Sequence, residues 1–166
     1  SVEVSVNIPV YGMRSLNPFV WAEQQVIVQG TLFEGLVGYD QDLNVVPKVA
    51  DSINISEDRR TWIFYLRENK RWSNGDPVTA KDFVYSYKTF LTPNSNSPLW
   101  ASFLYEVVNA GEYHRGSVKW EDVGITLLDD YTLKIQLNEA ADVAAKMVLG
   151  TGMPLHQASY EQALEE

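Results

Sequence analysis

The sequence predicts a mixed α+β fold in which antiparallel hairpins pack against helices. Two pairs of segments alternate apolar and polar residues across a short polar turn, which is typical of hairpins: residues 52–56 with 61–67, and 124–128 with 132–137. Between the two pairs, apolar residues recur every three or four positions over residues 80–91, which is helical periodicity. Antiparallel hairpins and helices therefore share one chain.

The local signals agree best over residues 66–87, where a strand, a turn and a helix follow one another. Large aromatic and β-branched side chains over residues 61–67 predict a strand with both faces covered, which places it inside a sheet. Asn74 and Gly75 tolerate a positive φ, and Pro77 lacks a backbone donor, so the chain is expected to turn over residues 73–77.

A helix is predicted to follow this turn. Thr79 precedes Asp82 in a Thr-x-x-Asp pattern that resembles a capping box, and Pro93 ends the helix near Thr92. One helical stripe carries the apolar side chains that we expect to be buried: Ala80, Phe83, Val84, Tyr87, Phe90 and Leu91.

The remaining elements are predicted from the same signals. Residues 2–8 read as an amphipathic strand, 23–32 as a helix, 36–39 as a short strand, and 47–51 as a connector before the first hairpin, whose tip is charged. In the second half, a helix is expected from Leu99, and residues 140–148 and 156–164 are helix-prone on either side of a break at 150–154. Apolar positions of the helix from Leu99 are Trp100, Phe103, Leu104, Val107 and Val108.

The composition argues against several classes of function. The 166 residues are 45% hydrophobic, enough for one buried core, and the net charge of -9 without clustered Lys or Arg argues against a nucleic-acid partner. There are no cysteines, which excludes disulfides and thiolate ligands. No apolar run reaches the length of a membrane span, and no leader is expected at Ser1.

Nothing in the sequence predicts a catalytic residue, a cofactor or a metal. The two histidines, His114 and His156, have no metal-binding spacing, and each is expected at the surface. The sequence has no nucleophile-elbow motif and no phosphate-binding loop motif. The positions of the 22 carboxylates along the chain do not single out any two of them as a catalytic acid and base.

The chain closely resembles the large extracytoplasmic peptide-binding proteins that feed ABC importers. Within that family it resembles the oligopeptide-binding branch more than the dipeptide or nickel branches. The motif that carries the resemblance is LRENKRWSNGDPVTAKDFVYSY over residues 66–87. It extends to Leu32-Phe33-Glu34-Gly35-Leu36, Pro47-Lys48-Val49-Ala50-Asp51, Pro93-Asn94, Ser97-Pro98, Ala101-Ser102 and Leu128-Asp129-Asp130.

The resemblance implies the N-terminal part of a periplasmic-binding-protein-like II fold. Residues 1–35 would supply the first strand and helix of a discontinuous lobe I, and residues 36–166 the small second domain. It implies capture of an oligopeptide and delivery to an ABC permease complex in the membrane, without an enzymatic step. It also implies a place outside the cytoplasm, in the periplasm or on the outer face of the membrane as a lipoprotein.

The same resemblance implies ligand contacts at Trp21, Glu23, Gln24 and Trp100. Glu23 corresponds to a carboxylate presented by a loop of the peptide cleft, and Trp100 to an aromatic residue beside the bound peptide. The residues alone favour other interpretations: a solvated acid at a helix start for Glu23, and a core aromatic for Trp100.

Three other functions remain open from the sequence. An acidic hydrolase would need two carboxylates that meet in a cleft. A structural or protein-docking module would need an exposed apolar patch instead. A binding protein of the same class could take a dipeptide, a signalling peptide, a nickel complex or a sugar.

Overall fold

The computed structural model describes residues 34–93, 103–148 and 152–165. Its strands are β1 (Val37–Tyr39), β2 (Val45–Pro47), β3 (Ala50–Ile55), β4 (Thr61–Leu66), β5 (Ile125–Asp129) and β6 (Thr132–Gln136). Its helices are α1 (Ala80–Phe90), α2 (Ala110–His114), α3 (Ala144–Lys146) and α4 (Gln157–Glu165), with 3₁₀ turns at Phe103–Glu106 and Trp120–Asp122. The α+β class is confirmed, whereas the elements predicted at 2–8 and 23–32 lie outside the described residues.

Both predicted hairpins are present and join one antiparallel sheet in the order β3-β4-β6-β5. The sequence did not predict that the two hairpins pair with each other. They do so through β4 and β6, which are antiparallel from Thr61↔Gln136 to Tyr65↔Thr132. A second sheet consists of β1 and β2. The predicted connector over 47–51 is therefore wrong at both ends, since β2 ends at Pro47 and β3 begins at Ala50.

Strand β4 lies in the interior of the four-stranded sheet, as predicted. Trp62, Phe64 and Leu66 are buried on one face. The prediction that both faces are covered is wrong, because Tyr65 on the other face keeps 42% of its surface exposed. Thr61 and Ile63 on the same face are only partly buried, as in an antiparallel sheet with one solvated face.

The turn and cap ahead of α1 form as the sequence indicates. Gly75 has φ of +95°, and its N–H donates to the Trp72 carbonyl oxygen at 2.9 Å. The Thr79 backbone N–H donates to Oδ2 of Asp82 at 2.7 Å, which satisfies a donor that the helix start leaves free. These two local contacts fix where the strand ends and the helix begins.

Helix α1 covers the buried face of the sheet and completes the core. Its buried residues include the predicted Ala80, Phe83, Tyr87 and Phe90, together with Ser86, which the apolar stripe did not predict. Tyr87 packs edge-on against Phe103, with 5.4 Å between ring centroids. The core therefore combines the sheet, α1 and the segment after residue 102.

The segment after residue 102 differs from its prediction. Phe103, Leu104 and Val107 are buried as expected, but the described part forms only a 3₁₀ turn, followed by the unpredicted helix α2. The Val107 backbone bridges to Leu137, and Val108 N–H donates to the Gln136 carbonyl oxygen at 3.0 Å. These contacts with the end of β6 compete with continuation of a regular helix.

The last described segment crosses α1 before it forms α4. Leu155 N–H donates to the Asp82 carbonyl oxygen at 3.1 Å, and the Ser86 hydroxyl donates to the Met153 carbonyl oxygen at 2.8 Å. The Tyr85 hydroxyl donates to Glu161 Oε1 at 3.2 Å. The final helix is thus confirmed, while the one predicted over 140–148 begins later, as α3, and continues as a π turn over residues 147–148.

Membrane-spanning character is not found in the described part of the chain. None of its helices combines the length and the apolar content that a transmembrane helix requires.

We expect Tyr87→Phe to raise the free energy of unfolding by about 1 kcal/mol. The Tyr87 side chain is fully buried, and its hydroxyl has no hydrogen-bond partner among the residues that the structure describes. Burial also raises the pKa of this phenol, so the hydroxyl stays neutral over the pH range in which unfolding is measured. Urea unfolding at neutral pH measures the difference.

Tyr85→Phe is the matched control. The Tyr85 hydroxyl bonds Glu161, so its removal is expected to lower the free energy of unfolding by up to about 1 kcal/mol. An equal loss in both variants would show that the Tyr87 hydroxyl has a partner after all.

Candidate functional site

The four sequence-predicted ligand residues, Trp21, Glu23, Gln24 and Trp100, lie outside the described residues. Their roles stay predictions. The structure does describe residues close to them in sequence, Glu34 on one side and Phe103 on the other. Glu34 lies on the exposed surface of the domain.

Two chain crossings meet at one end of the domain, and we call residues 34–36 and 152–155 the neck. Leu36 N–H donates to the Gly152 carbonyl oxygen at 3.3 Å, and Val49 N–H donates to the Gly35 carbonyl oxygen at 3.1 Å. A Cβ on Gly152 would lie 2.3 Å from the Met147 carbonyl oxygen, so this crossing has room only for glycine. Residues 35–36 thus lie next to residue 49 on one side and residue 152 on the other.

A cavity of about 230 Å³ opens at the neck, and we call it the neck pocket. Glu34 and Pro154 contribute one residue from each crossing. The other lining residues come from the end of the first hairpin and the turn ahead of α1: Val49, Lys70, Arg71, Trp72, Ser73 and Val78.

The charged groups of the neck pocket already have partners. The Lys70 ammonium forms an ion pair with the Glu34 carboxylate, and the two side chains are 32% and 46% exposed. Arg71 donates from NH1 to the carbonyl oxygens of Glu68 and Lys70, at 2.6 and 2.8 Å. The Lys70–Glu34 pair is neutral overall, whereas the Arg71 guanidinium keeps its positive charge and is held by two backbone carbonyl oxygens.

The indole of Trp72 is the polar group of the neck pocket that lacks a partner. Its Nε1 is buried, and no acceptor reaches it from the residues that the structure describes. The ring contacts the imidazole of His156, with 5.4 Å between centroids and an angle of 59° between planes. The indole N–H is therefore an enclosed donor without a partner among the described residues.

His156 is held on both ring nitrogens and is partly buried, so it is less accessible than the predicted surface position implies. Nε2 lies 3.0 Å from Asp76 Oδ2, and Nδ1 lies 2.7 Å from the Ser159 hydroxyl, with only 18% of the side chain exposed. His114 likewise has a buried Nδ1 and is half-buried. Sequence reasoning missed the first contact because Asp76 and His156 are 80 positions apart.

The Asp76, His156 and Ser159 contacts resemble a catalytic triad only in composition. Nδ1 of His156 also accepts the backbone N–H of Ser159 at 3.3 Å. With that nitrogen serving as acceptor, the ring proton resides on Nε2 and is donated to Asp76. The imidazole therefore caps the start of α4. The described residues hold no group of three potential metal ligands from His, Asp and Glu.

A second cavity of about 250 Å³ lies beside the β1-β2 sheet. Its walls are mainly apolar: Val37, Val45, Val46, Pro47, Ile53, Ile55, Trp62, Ala144 and Ala145, with Asp142 at the edge. Asp142 pairs with Arg59 at 3.3 Å. Both cavities are smaller than the roughly 300–1,000 Å³ of sites that enclose a whole ligand.

The sequence matches one family of bacterial binding proteins and individual members of known description. The pattern of the bacterial extracellular solute-binding proteins, family 5, middle part, matches residues 44–164. A Haemophilus influenzae protein described as a putative binding protein is 37% identical over 161 residues, 95% of this chain and 30% of that protein. The periplasmic murein peptide-binding protein MppA of Escherichia coli is 42% identical over 109 residues, 65% of this chain and 20% of that protein.

Solved structures agree with these sequence matches. The crystal structure of Haemophilus influenzae OppA in complex with RPPGFSPFR has a TM-score of 0.81 and 32% identity, over 89% of this chain and 29% of that one. The Escherichia coli murein tripeptide-binding protein MppA has a TM-score of 0.81 and 35% identity, over 89% and 30%. The predicted periplasmic-binding-protein-like fold is confirmed. The chain spans no more than about a third of these relatives.

We expect Gly152→Ala to lower the free energy of unfolding by about 2 kcal/mol, since the added methyl group overlaps the Met147 carbonyl oxygen and forces the crossings apart. Urea unfolding measures the loss.

Gly111→Ala serves as its control. A Cβ there meets only the Arg115 side chain, at 3.6 Å, and lies within α2, where alanine is favoured over glycine. Equal destabilisation by both substitutions would contradict a close contact at the neck.

Proposed function

Since the chain belongs to the bacterial extracellular solute-binding proteins of family 5, we propose that it forms part of an oligopeptide-binding component of an ABC importer. The observation that carries the proposal is the shared fold, at a TM-score of 0.81, with a relative whose structure contains RPPGFSPFR. Such a component captures a peptide outside the cytoplasm and delivers it to a permease complex in the membrane. No covalent bond is made or broken.

The physical basis of capture is an extended peptide enclosed between two lobes that close by hinge motion. Hydrogen bonds to the peptide backbone and ion pairs with its termini are independent of side-chain identity. Roomy hydrated pockets then accept varied side chains, because bridging waters replace direct contacts at small cost. Broad specificity follows from this division of roles.

In our proposal, residues 1–35 begin the discontinuous lobe I and residues 36–166 form the small second domain. The shared core supports the second part of this division, because its buried side chains run from Leu36 to Met147. A domain has its own hydrophobic core. The main peptide-binding lobes would then be formed largely by sequence beyond this domain.

Within that protein we assign ligand contacts to Trp21, Glu23, Gln24 and Trp100. A carboxylate at Glu23 suits a positively charged peptide group, and the Trp100 ring suits packing against an apolar side chain. The described domain would contribute support, since its neck pocket and second cavity are each too small to enclose an oligopeptide.

The proposed location is outside the cytoplasm, either free in the periplasm or anchored by lipid to the outer face of the membrane. Support comes from the relatives named as periplasmic binding proteins. No nucleic acid is proposed as a partner, consistent with the net charge of -9.

One alternative has an observation in its favour. The open face of the four-stranded sheet exposes Tyr65 at 42%, and the edge strand β5 exposes Leu128 at 50%. Such side chains suit a domain that docks onto another protein and does not touch the ligand. This alternative predicts that no substitution within 36–166 changes peptide affinity.

Calorimetric titration of a mixed pool of tri- to pentapeptides tests the proposed function. We expect saturable binding by the full-length protein and none by the 166-residue chain, because one domain cannot enclose the peptide. Saturable micromolar binding by the 166-residue chain would contradict the division of domains. No binding by either protein would contradict the peptide function.

The proposed contacts are tested by Glu23→Gln and Trp100→Ala in the full-length protein. Each is expected to weaken peptide binding about tenfold, the effect of about 1.4 kcal/mol in lost contact energy. Glu121→Gln is the control, because Glu121 is an exposed residue of a 3₁₀ turn. Unchanged affinity in both test variants would contradict the site assignment.

A further inference from the structure

The Asn74–Gly75 step in the turn ahead of α1 combines the features that favour deamidation of asparagine. It is the one Asn-Gly step in the sequence. Glycine has no Cβ, so its backbone nitrogen approaches the preceding side-chain amide with the least steric hindrance. Both residues are exposed, which gives water access to them. The dipeptide that forms the turn therefore also carries a candidate modification site.

The chemistry of deamidation defines what the structure has to allow. The Gly75 backbone nitrogen loses its proton and attacks Asn74 Cγ, and Nδ2 leaves as ammonia, which closes a succinimide ring. Water then opens the ring at either carbonyl and gives aspartate or isoaspartate. The net reaction consumes water and releases ammonia, and it needs no oxidant or reductant. The attacking nitrogen and the side-chain amide must therefore both be free to move.

The attacking nitrogen is not free in the folded turn. Gly75 N–H donates to the Trp72 carbonyl oxygen at 2.9 Å, and its φ of +95° is a conformation that glycine adopts without strain. Attack on Asn74 Cγ requires that this hydrogen bond breaks, because the nitrogen has to release the proton that it donates. The turn thus holds the nucleophile in an unreactive state.

The side-chain amide of Asn74 is held at both ends by Asp76. Its Oδ1 accepts the Asp76 backbone N–H at 3.0 Å, and its Nδ2 donates to Asp76 Oδ2 at 2.7 Å. Asp76 is fixed in turn, since its Oδ2 lies 3.0 Å from Nε2 of His156 and its carbonyl oxygen accepts the Trp72 backbone N–H at 2.8 Å. Rotation of the amide towards the Gly75 nitrogen therefore breaks contacts with Asp76.

We propose that Asn74 is a deamidation site whose reaction the folded turn suppresses, with Asp76 as the residue that holds the amide in its unreactive position. The proposal does not depend on the proposed peptide function. Deamidation replaces the Nδ2 donor with a carboxylate oxygen, so the hydrogen bond to Asp76 Oδ2 cannot form again. A molecule whose turn has opened and reacted thus keeps a lasting chemical mark.

The rate of deamidation at Asn74 tests the proposal in the full-length protein. A peptide of residues 66–87 is the unfolded reference, because so short a segment has little stable structure in water. Digestion and mass spectrometry follow both samples at neutral pH, and chromatography separates the aspartate and isoaspartate products. We expect the folded protein to react at least about tenfold more slowly than the peptide, since the reaction has to break the hydrogen bonds of the turn.

Asp76→Ala then tests which residue holds the amide. In the folded protein it is expected to speed deamidation of Asn74 about three- to tenfold, the effect of losing the side-chain hydrogen bond. The same substitution in the peptide should leave the rate nearly unchanged, because the peptide lacks the fixed turn. Asp58→Ala is the matched control, since Asp58 binds Ser56 and Arg60 at the tip of the first hairpin.

Three outcomes would overturn the proposal. A peptide that forms no product at Asn74 would show that the step is not a deamidation site. Equal rates in the folded protein and the peptide would show that the fold does not suppress the reaction. An Asp76→Ala protein that reacts no faster than the unmodified protein would show that Asp76 does not hold the amide. Every sample is free of ligand, so the result is separate from that of the peptide titration.

Discussion

The antiparallel pairing of β4 on both sides is the constraint on which the rest of the structure depends. Through β3 and β6 this strand joins two hairpins separated by more than 50 residues into one sheet. The same strand points Trp62, Phe64 and Leu66 into the core. A shift in register by one residue would exchange these side chains for Thr61, Ile63 and Tyr65, and the core would lose its largest components.

Helix α1 connects this sheet to the neck. Its inner side packs on the sheet, while its Asp82 and Ser86 bind the segment that leads to α4. His156 then fixes the same segment to the turn at Asp76. The two crossings are joined by the Leu36–Gly152 hydrogen bond, so a few short contacts hold the neck together.

The polar groups around the neck pocket are largely engaged by contacts within the described part of the domain. The imidazole of His156 caps the start of α4, and Lys70 pairs with Glu34. Arg71 donates to two backbone carbonyl oxygens. The buried indole N–H of Trp72 has no partner among the described residues.

The sequence alone determined the elements whose signals are local. Alternation over 61–66, the Asn-Gly turn and the Thr79–Asp82 cap each act within a few residues, so their structure follows from steric and hydrogen-bonding rules. The resemblance to a peptide-binding family also came from the sequence, and the comparisons confirmed it. Only the tertiary structure decided the β4-β6 pairing, the Asp76–His156 contact and the isolation of the Trp72 indole. These features join residues distant in the chain, and no local preference encodes which distant partners will meet.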